Sequence, residues 1–286
     1  MKPGRGSRTA VLVCMGRAIA HGSTPVSRYT DPTALALLPD DARARVERYR
    51  SGVVPNDIRA HLEHAYLEKQ SKIMVARTVA IDDAVRAVAS PQLVILGAGL
   101  DGRAWRMPEL SGVTVFEVDH PDSQRDKRAR VATLAQAARE VRFVPVDFTR
   151  GSLDCMLAAA GHDPARPTTW IWEGVVMYLN PADVEATLAI IERRSAAGSR
   201  LIVAYHSPAL MLRFVRLLVR LIGEPLRSVF TPGAMRALLA KHRFGIVRDE
   251  DLPTIGGSLS PELGLATQRM KHLRIVTADR LHPGHA

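Results

Sequence analysis

The residues best suited to chemistry gather in one stretch, Leu93 to Asp119, which reads LVILGAGLDGRAWRMPELSGVTVFEVD. Four apolar residues, Leu93 to Leu96, run into Gly97-Ala98-Gly99-Leu100-Asp101-Gly102, a G-x-G-x-x-G turn nearly free of side chains. Such a run reads as a buried parallel strand ending in a loop whose backbone a ligand can touch. A second, largely apolar run, Val113 to Val118, closes the unit with carboxylates at Glu117 and Asp119, where the end of the next strand can receive a ribose. Hydroxyl acceptors beside a glycine turn point to an adenosine-type cofactor, and this pattern serves both nicotinamide dinucleotides and S-adenosylmethionine. The segment after the glycines bears on the choice. A dinucleotide site aims the N-terminus of a long helix at a pyrophosphate, but only Arg103 to Leu110 is available here, and it contains Pro108.

Further polar residues stand at the ends of other apolar runs. Asp147-Phe148 follows Val141 to Val146, Glu173-Gly174 follows Thr168 to Trp172, and His206 follows Ser199 to Tyr205. Ligands of open α/β sheets bind beyond the carboxyl ends of strands, so each is a site candidate; Asp147 could equally cap a helix before Leu153, and Glu173 a turn. Asp101 suits a turn-forming role inside the glycine loop. His206 is the best-placed general base, with a structural hydrogen-bonding role as the alternative.

The elements that must position these groups alternate along the chain. Residues up to about Ser90 show helical spacing, broken by Pro25, Asp31-Pro32, Pro39 and Ser51-Gly52, and read as a helical cover rather than a separate domain. Asp57 is placed to cap a long helix running towards Val88, Ala129 to Arg139 reads as a helix, and Asn180 is placed to cap another that begins at Pro181. Residues 91–286 form the core, with strands also expected at Phe244 to Val247 and His272 to Ala278, and a helical insertion over the acceptor pocket at about 207–240.

GAGLDGRAWRMPEL, VFEVDHP, VRFVPVDF and AAGHDPARPTTWIWEGVVMYLNPADV, in that order, resemble the leucine carboxyl methyltransferase family, specifically its bacterial S-adenosylmethionine-dependent O-methyltransferases. The likeness runs from about Ala76 almost to the C-terminus. It implies an α/β, Rossmann-like seven-stranded class I methyltransferase sheet with helices on both faces, its last two strands an antiparallel edge hairpin. It also implies S-adenosyl-L-methionine as cofactor, with Arg77 holding its methionine carboxylate. Gly97, Ala98, Gly99 and Asp101 would form the loop, Asp119 (alternative Glu117) would meet the ribose, Asp147 and Phe148 the adenine, and Glu173 the ammonium. Arg77 belongs to the family's RT…DD signature, here Arg77-Thr78 and Asp82-Asp83; paired with Asp82 or Asp83 it would be only structural. The family usually has threonine where this chain has Gly102, a change that removes a hydroxyl able to brace the loop. A lysine near the family's N-terminal Asp-Pro is replaced by Thr30.

Composition bounds the remaining possibilities. The chain has 286 residues, 47% of them hydrophobic, which argues for a globular fold. Cys14 and Cys155 show no metal-ligand spacing and read as reduced, buried thiols of a cytoplasmic protein, and no metal is expected. No stretch approaches a membrane span of about 20 apolar residues. The net charge is +10, and between Arg193 and Arg248 ten Arg and one Lys face Glu224 alone, equivalent to the whole excess. Six Lys against 33 Arg looks like genomic base composition, and the 14 aromatics are not interleaved with the basic stretch, so no DNA partner is expected. Arg213, Arg216 and Arg220 form a stripe that reads as a solvated helix face, or else attracts an anionic acceptor or a membrane surface. The acceptor is expected to be a small molecule carrying a carboxylate or hydroxyl, and the oligomeric state is not specified. A non-catalytic protein binding RNA or an acidic partner, and a nicotinamide oxidoreductase, are the competing readings.

Overall fold

The computed structural model describes residues 8–53, 57–146, 153–209 and 227–281. Seven strands form one sheet in the order β3-β2-β1-β4-β5-β7-β6. They are β1 Gln92–Leu96, β2 Thr114–Asp119, β3 Glu140–Pro145, β4 Thr168–Trp172, β5 Arg200–His206, β6 Phe244–Asp251 and β7 Leu273–Arg280. β1 to β5 pair in parallel, and β7 runs antiparallel to both β5 and β6. The uninterrupted burial of β1 and β4 accounts for the apolar runs Leu93 to Leu96 and Trp170 to Trp172, since a parallel sheet is covered on both faces. Strand order reverses at β1, between β2 and β4, and in open α/β sheets ligands bind beyond the carboxyl ends of the strands at such a point.

Four N-terminal helices, α1 Arg8–Ala20, α2 Ala34–Leu37, α3 Asp40–Arg50 and α4 Ile58–Arg86, precede the sheet. Their buried residues, among them Met15, Leu37, Met74 and Ile81, share one apolar cluster with Leu93, Ile95, Val115, Ile171 and Ile202 from one sheet face. The opposite face, with Val94, Phe116, Trp170, Trp172 and Tyr205, packs against α7 Leu153–Ala159, α8 Pro181–Arg193 and the helix Pro232–Lys241. Two helix starts follow from their caps: the Asp57 carboxylate accepts from the Ala60 amide at 3.0 Å, and Asn180 Oδ1 from the Asp183 amide at 2.9 Å.

Three sequence expectations change. The helix after β2 is α6 Pro121–Val131, not Ala129 to Arg139. His120 accepts from the Asp122 amide, Pro121 has its φ preset for the first turn, and Asp122 and Arg128/Arg130 sit at the ends the helix dipole favours. The alanines beyond are drawn off instead, the Ala137 and Ala138 amides donating to the Ala104 carbonyl at 3.0 and 2.8 Å. β6 extends to Asp251, past the expected Val247, across a bulge between Ile246 and Arg248. Of the two thiols expected to be buried, Cys14 is buried but Cys155 is exposed. Within the expected insertion Pro232–Lys241 is helical, as anticipated, and Arg213, Arg216 and Arg220 lie outside the described residues. Among the described residues no helix is long and apolar enough to cross a membrane.

Candidate functional site

The glycine turn follows β1 directly. The Gly97 and Ala98 amides both donate to the Val118 carbonyl, at 2.8 and 3.0 Å, which folds the loop over the end of β2. Gly97 has φ +69° and a Cβ there would lie 2.2 Å from Val175 Cγ2; Gly99 has φ +47° and a Cβ would lie 3.2 Å from Ala10 Cβ on α1. Both positions therefore need glycine for conformation as well as for space. The loop lies between the segment after β4 and the first helix of the chain. Ala98 and Asp101 are buried within it.

Gly102 has an ordinary φ of −105°, so a different constraint acts on it. A Cβ at this position would meet Thr33 Oγ1 at 2.1 Å. That hydroxyl, which donates to Asp31 Oδ1 at 2.8 Å, fills the space a side chain at 102 would take. The bracing group absent from the loop is replaced by one from the N-terminal segment.

The two carboxylates of β2 have different fates. Asp119 accepts from the Gly99 amide and from the His120 amide, so it is tied to the turn itself. Burial raises its pKa, against the pull of those two amides. Glu117 points to the same face two residues earlier but is 1% exposed, with Lys127 Nζ 2.7 Å away. Burial pushes its pKa up to about 7, with the ammonium opposing. Lys127 also stands 5.1 Å over the Trp105 ring. Glu117 is thus enclosed beneath the loop, and of the two β2 candidates Asp119 alone touches the glycine turn.

At the end of β4, Glu173 meets α4. Its Oε1 lies 2.7 Å from Arg77 Nε, and its Oε2 accepts from Arg103 Nη1 at 3.0 Å. Arg103, on the short helix α5 Arg103–Arg106, also pairs with Asp82 at 2.7 Å and with Asp101. Arg106 contacts Asp82 at 2.7 Å and approaches Asp31 at 3.7 Å, and Asp31 pairs with Arg17 of α1 at 3.2 Å. Four arginines and four carboxylates thus alternate from α1 to β4, all with side chains 12% exposed or less. Each charge faces an opposite one, although Nε of Arg17, Arg77 and Arg106 and Oδ2 of Asp31 make no hydrogen bond.

Arg77 is the least satisfied member. Burial lowers its pKa, and Arg17 and Arg103 add to that effect against Glu173, whereas Arg17, Arg103 and Arg106 are held above their ordinary value by their carboxylates. Its Nε makes no well-aligned hydrogen bond, as is also true of Nε in Arg17 and Arg106, so the lowered pKa is what sets Arg77 apart. A buried guanidinium beside a carboxylate could hold a zwitterion, its carboxylate on Arg77 and its ammonium on Glu173. Arg77 does not pair with Asp82 or Asp83, the structural alternative raised by the sequence; Asp82 is taken by Arg103 and Arg106, and Asp83 by Arg28 and Arg86.

His206 ends β5 on the same sheet face as Arg77. Its ring stacks on His272 with centroids 5.3 Å apart, and its Nδ1 is buried without a hydrogen-bond partner. Burial, with repulsion from His272 and Arg77, pushes its pKa down to about 4. Asp147 and Phe148 lie outside the described residues. Arg17, Arg103 and Arg106 were not singled out by sequence reasoning; of the network's unassigned members Asp82 carried a signal in the RT…DD pattern and Asp31 in the Asp31-Pro32 pair. Among the described residues no cluster of three or more His, Cys, Asp or Glu could hold a metal ion.

Comparison with known proteins places this geometry in context. The leucine carboxyl methyltransferase family model matches residues 10–192. The chain belongs to that family. A Mycobacterium sp. (strain JLS) relative, named "Putative S-adenosyl-L-methionine-dependent methyltransferase", is 36% identical over 203 residues, 70% of this chain and 66% of its own length, so the match spans just under two thirds of that protein. A relative of the same name from Mycolicibacterium gilvum is 36% identical over 77% of this chain and 72% of its own. Among solved structures, a DUF574 family protein from Streptomyces avermitilis aligns with TM-score 0.63 at 10% identity, covering 97% of this chain and 98% of its own. A geranyl diphosphate methyltransferase in complex with S-adenosylmethionine aligns with TM-score 0.52 at 15% identity, covering 79% and 92%. These two likenesses concern the fold, and the fold of this family member is the class I methyltransferase one.

Proposed function

We propose that this leucine carboxyl methyltransferase family member transfers a methyl group from S-adenosyl-L-methionine to an oxygen of a small-molecule acceptor, with a carboxylate as the favoured oxygen. The observation that carries the reading is the buried Arg77–Glu173 pair at 2.7 Å, set beside a glycine turn held by Asp119. Arg77 and Glu173 suit the two charges of an amino acid, and Gly97, Gly99 and Asp119 suit a nucleoside. Asp147 and Phe148 remain the sequence-based candidates for the adenine. The relatives' names support the same cofactor. When bound, it supplies a methyl group already activated by a sulfonium.

The chain's own task is then alignment and exclusion of water, a contribution of about 7–11 kcal/mol when the geometry is right. A carboxylate acceptor is ionised at neutral pH and needs no base. Burial and the repulsion of His272 and Arg77 push the His206 pKa down to about 4, which makes it a weak general base. The basic character of the chain is compatible with an anionic acceptor.

The test is methyl transfer from tritiated S-adenosylmethionine to a panel of carboxylic acids and phenols, followed by mild base. Carboxyl esters release volatile labelled methanol, whereas ethers do not. Base-stable product alone would overturn the carboxylate reading, and no incorporation into any acceptor, with binding of the cofactor absent, would overturn the enzyme reading.

A further inference from the structure

Glu173 has two oxygens and two cationic neighbours, and the neighbours are built differently. Arg77 has Glu173 as its one recorded ion-pair partner among the described residues. Arg103 is fixed from every side: its Nε lies 2.7 Å from Asp82, its Nη1 pairs with Asp101, and its backbone amide donates to Asp101 Oδ1 at 2.8 Å. Asp82 is itself gripped by Arg106 through both oxygens, at 2.7 and 3.0 Å. Exposure falls to 1% for the Arg103 and Arg106 side chains and 3% for Asp82. Glu173, by contrast, sits on a short connection after β4, followed by Gly174 at φ +72°, so its own backbone does little to aim it. Free to rotate, its carboxylate could bind Arg77 through both oxygens and neutralise it, leaving neither group for a ligand.

We propose that Arg103, backed by Asp82, is a positioning residue that holds Oε2 of Glu173 so that Oε1 stays directed at Arg77. This rests on the reading of Arg77 and Glu173 as the frame for the amino-acid end of S-adenosylmethionine. Arg103 itself touches no ligand in this scheme. Its effect on the zwitterionic end runs through Glu173, whereas its pairing with Asp101 also braces the glycine turn, so Asp82→Asn is the variant that separates the two. A fork geometry is needed, because one guanidinium must reach Asp82, Asp101 and Glu173 together, which a lysine ammonium on a flexible stem does not reproduce.

The experiment compares two ligands by calorimetry: S-adenosylhomocysteine, which carries the amino-acid end, and 5′-methylthioadenosine, which lacks it. The wild-type protein is expected to favour the first. Asp82→Asn, nearly isosteric, and Arg103→Lys, which keeps the charge, are each expected to weaken S-adenosylhomocysteine about tenfold or more, with 5′-methylthioadenosine affinity unchanged in Asp82→Asn and lowered less than that of S-adenosylhomocysteine in Arg103→Lys. Arg103→Gln should show the larger loss, partly recovered in Arg103→Lys. Equal weakening of both ligands would mean that the network only supports the fold, and would overturn the proposal. Retained S-adenosylhomocysteine affinity in both variants would overturn it as well. A wild-type protein that binds 5′-methylthioadenosine but gains nothing from the amino-acid end would refute the frame itself, a failure distinct from that of Arg103.

Discussion

Thr33 and Gly102 offer a test in which the effect of one substitution is cancelled by another. An alanine Cβ at position 102 would lie 2.1 Å from Thr33 Oγ1, about 1.3 Å inside the 3.4 Å at which ordinary contact begins. Thr33 cannot simply rotate away, because it is buried and its hydroxyl donates to Asp31 Oδ1 at 2.8 Å. The backbone of Gly102, at φ −105°, accepts alanine without strain, so the steric overlap decides the sign. Overpacking of this kind costs about 1–3 kcal/mol. Thr33→Ala removes the hydroxyl and one hydrogen bond, about 1 kcal/mol, while Asp31 keeps Arg17 at 3.2 Å. With the hydroxyl gone, the nearest remaining atoms to the new Cβ are Thr33 Cβ at 3.3 Å and Asp31 Oδ1 at 3.4 Å. Gly102→Ala in the Thr33→Ala background should therefore cost little more than Thr33→Ala alone, a favourable coupling of about 1–2 kcal/mol. Urea denaturation of the four proteins measures it. Additive losses would refute the claim that the N-terminal segment supplies the volume missing from the loop.

Other predictions concern charge and catalysis. Asp119→Ala and Arg77→Ala should each weaken S-adenosylhomocysteine binding by roughly ten- to a hundredfold, about 1.5–3 kcal/mol, without unfolding, as read by calorimetry beside circular dichroism. Activity on a carboxylate acceptor should tolerate His206→Ala; collapse of turnover at unchanged cofactor affinity would indicate a base-requiring hydroxyl. His162 is buried against Phe116 and Trp170, and burial, with Arg194 nearby, pushes its pKa from 6.5 to about 4. The unfolded chain therefore binds a proton between those values that the folded chain does not. Stability present above pH 6.5 should fall as the pH drops through that window, by up to about 3 kcal/mol. His162→Gln should flatten that part of a stability-against-pH profile.

The sequence was most informative where a local rule governs. Asp57 and Asn180 mark their helices because an N-cap needs only its own neighbours, and β1 and β4 are visible because a strand covered on both faces carries an unbroken apolar run. The helix after β2 was misplaced because alanine content outweighed the His120-Pro121 start, and the fate of residues 137–138 depends on a carbonyl of Ala104 far along the chain. The direction of β7 is a property of its partners, not of its residues. At the site, the glycine turn and its carboxylates were legible as types and spacings, but the separation of Asp119 from Glu117 was not. Both point the same way from β2, and only the position of Lys127, ten residues on, distinguishes them. The buried alternation of arginine and carboxylate was least legible, since its members are scattered from Arg17 to Glu173 and each alone resembles a surface charge.

Arg77, Glu173, Asp119 and the glycine turn are proposed to form a site for S-adenosyl-L-methionine. Calorimetric titration of the purified protein with S-adenosylhomocysteine, run beside NADH at the same low salt, tests it most directly. The account predicts one binding site for S-adenosylhomocysteine with micromolar affinity, on the order of −8 kcal/mol, and no heat from NADH. Binding of NADH alone, or of neither ligand, would contradict it.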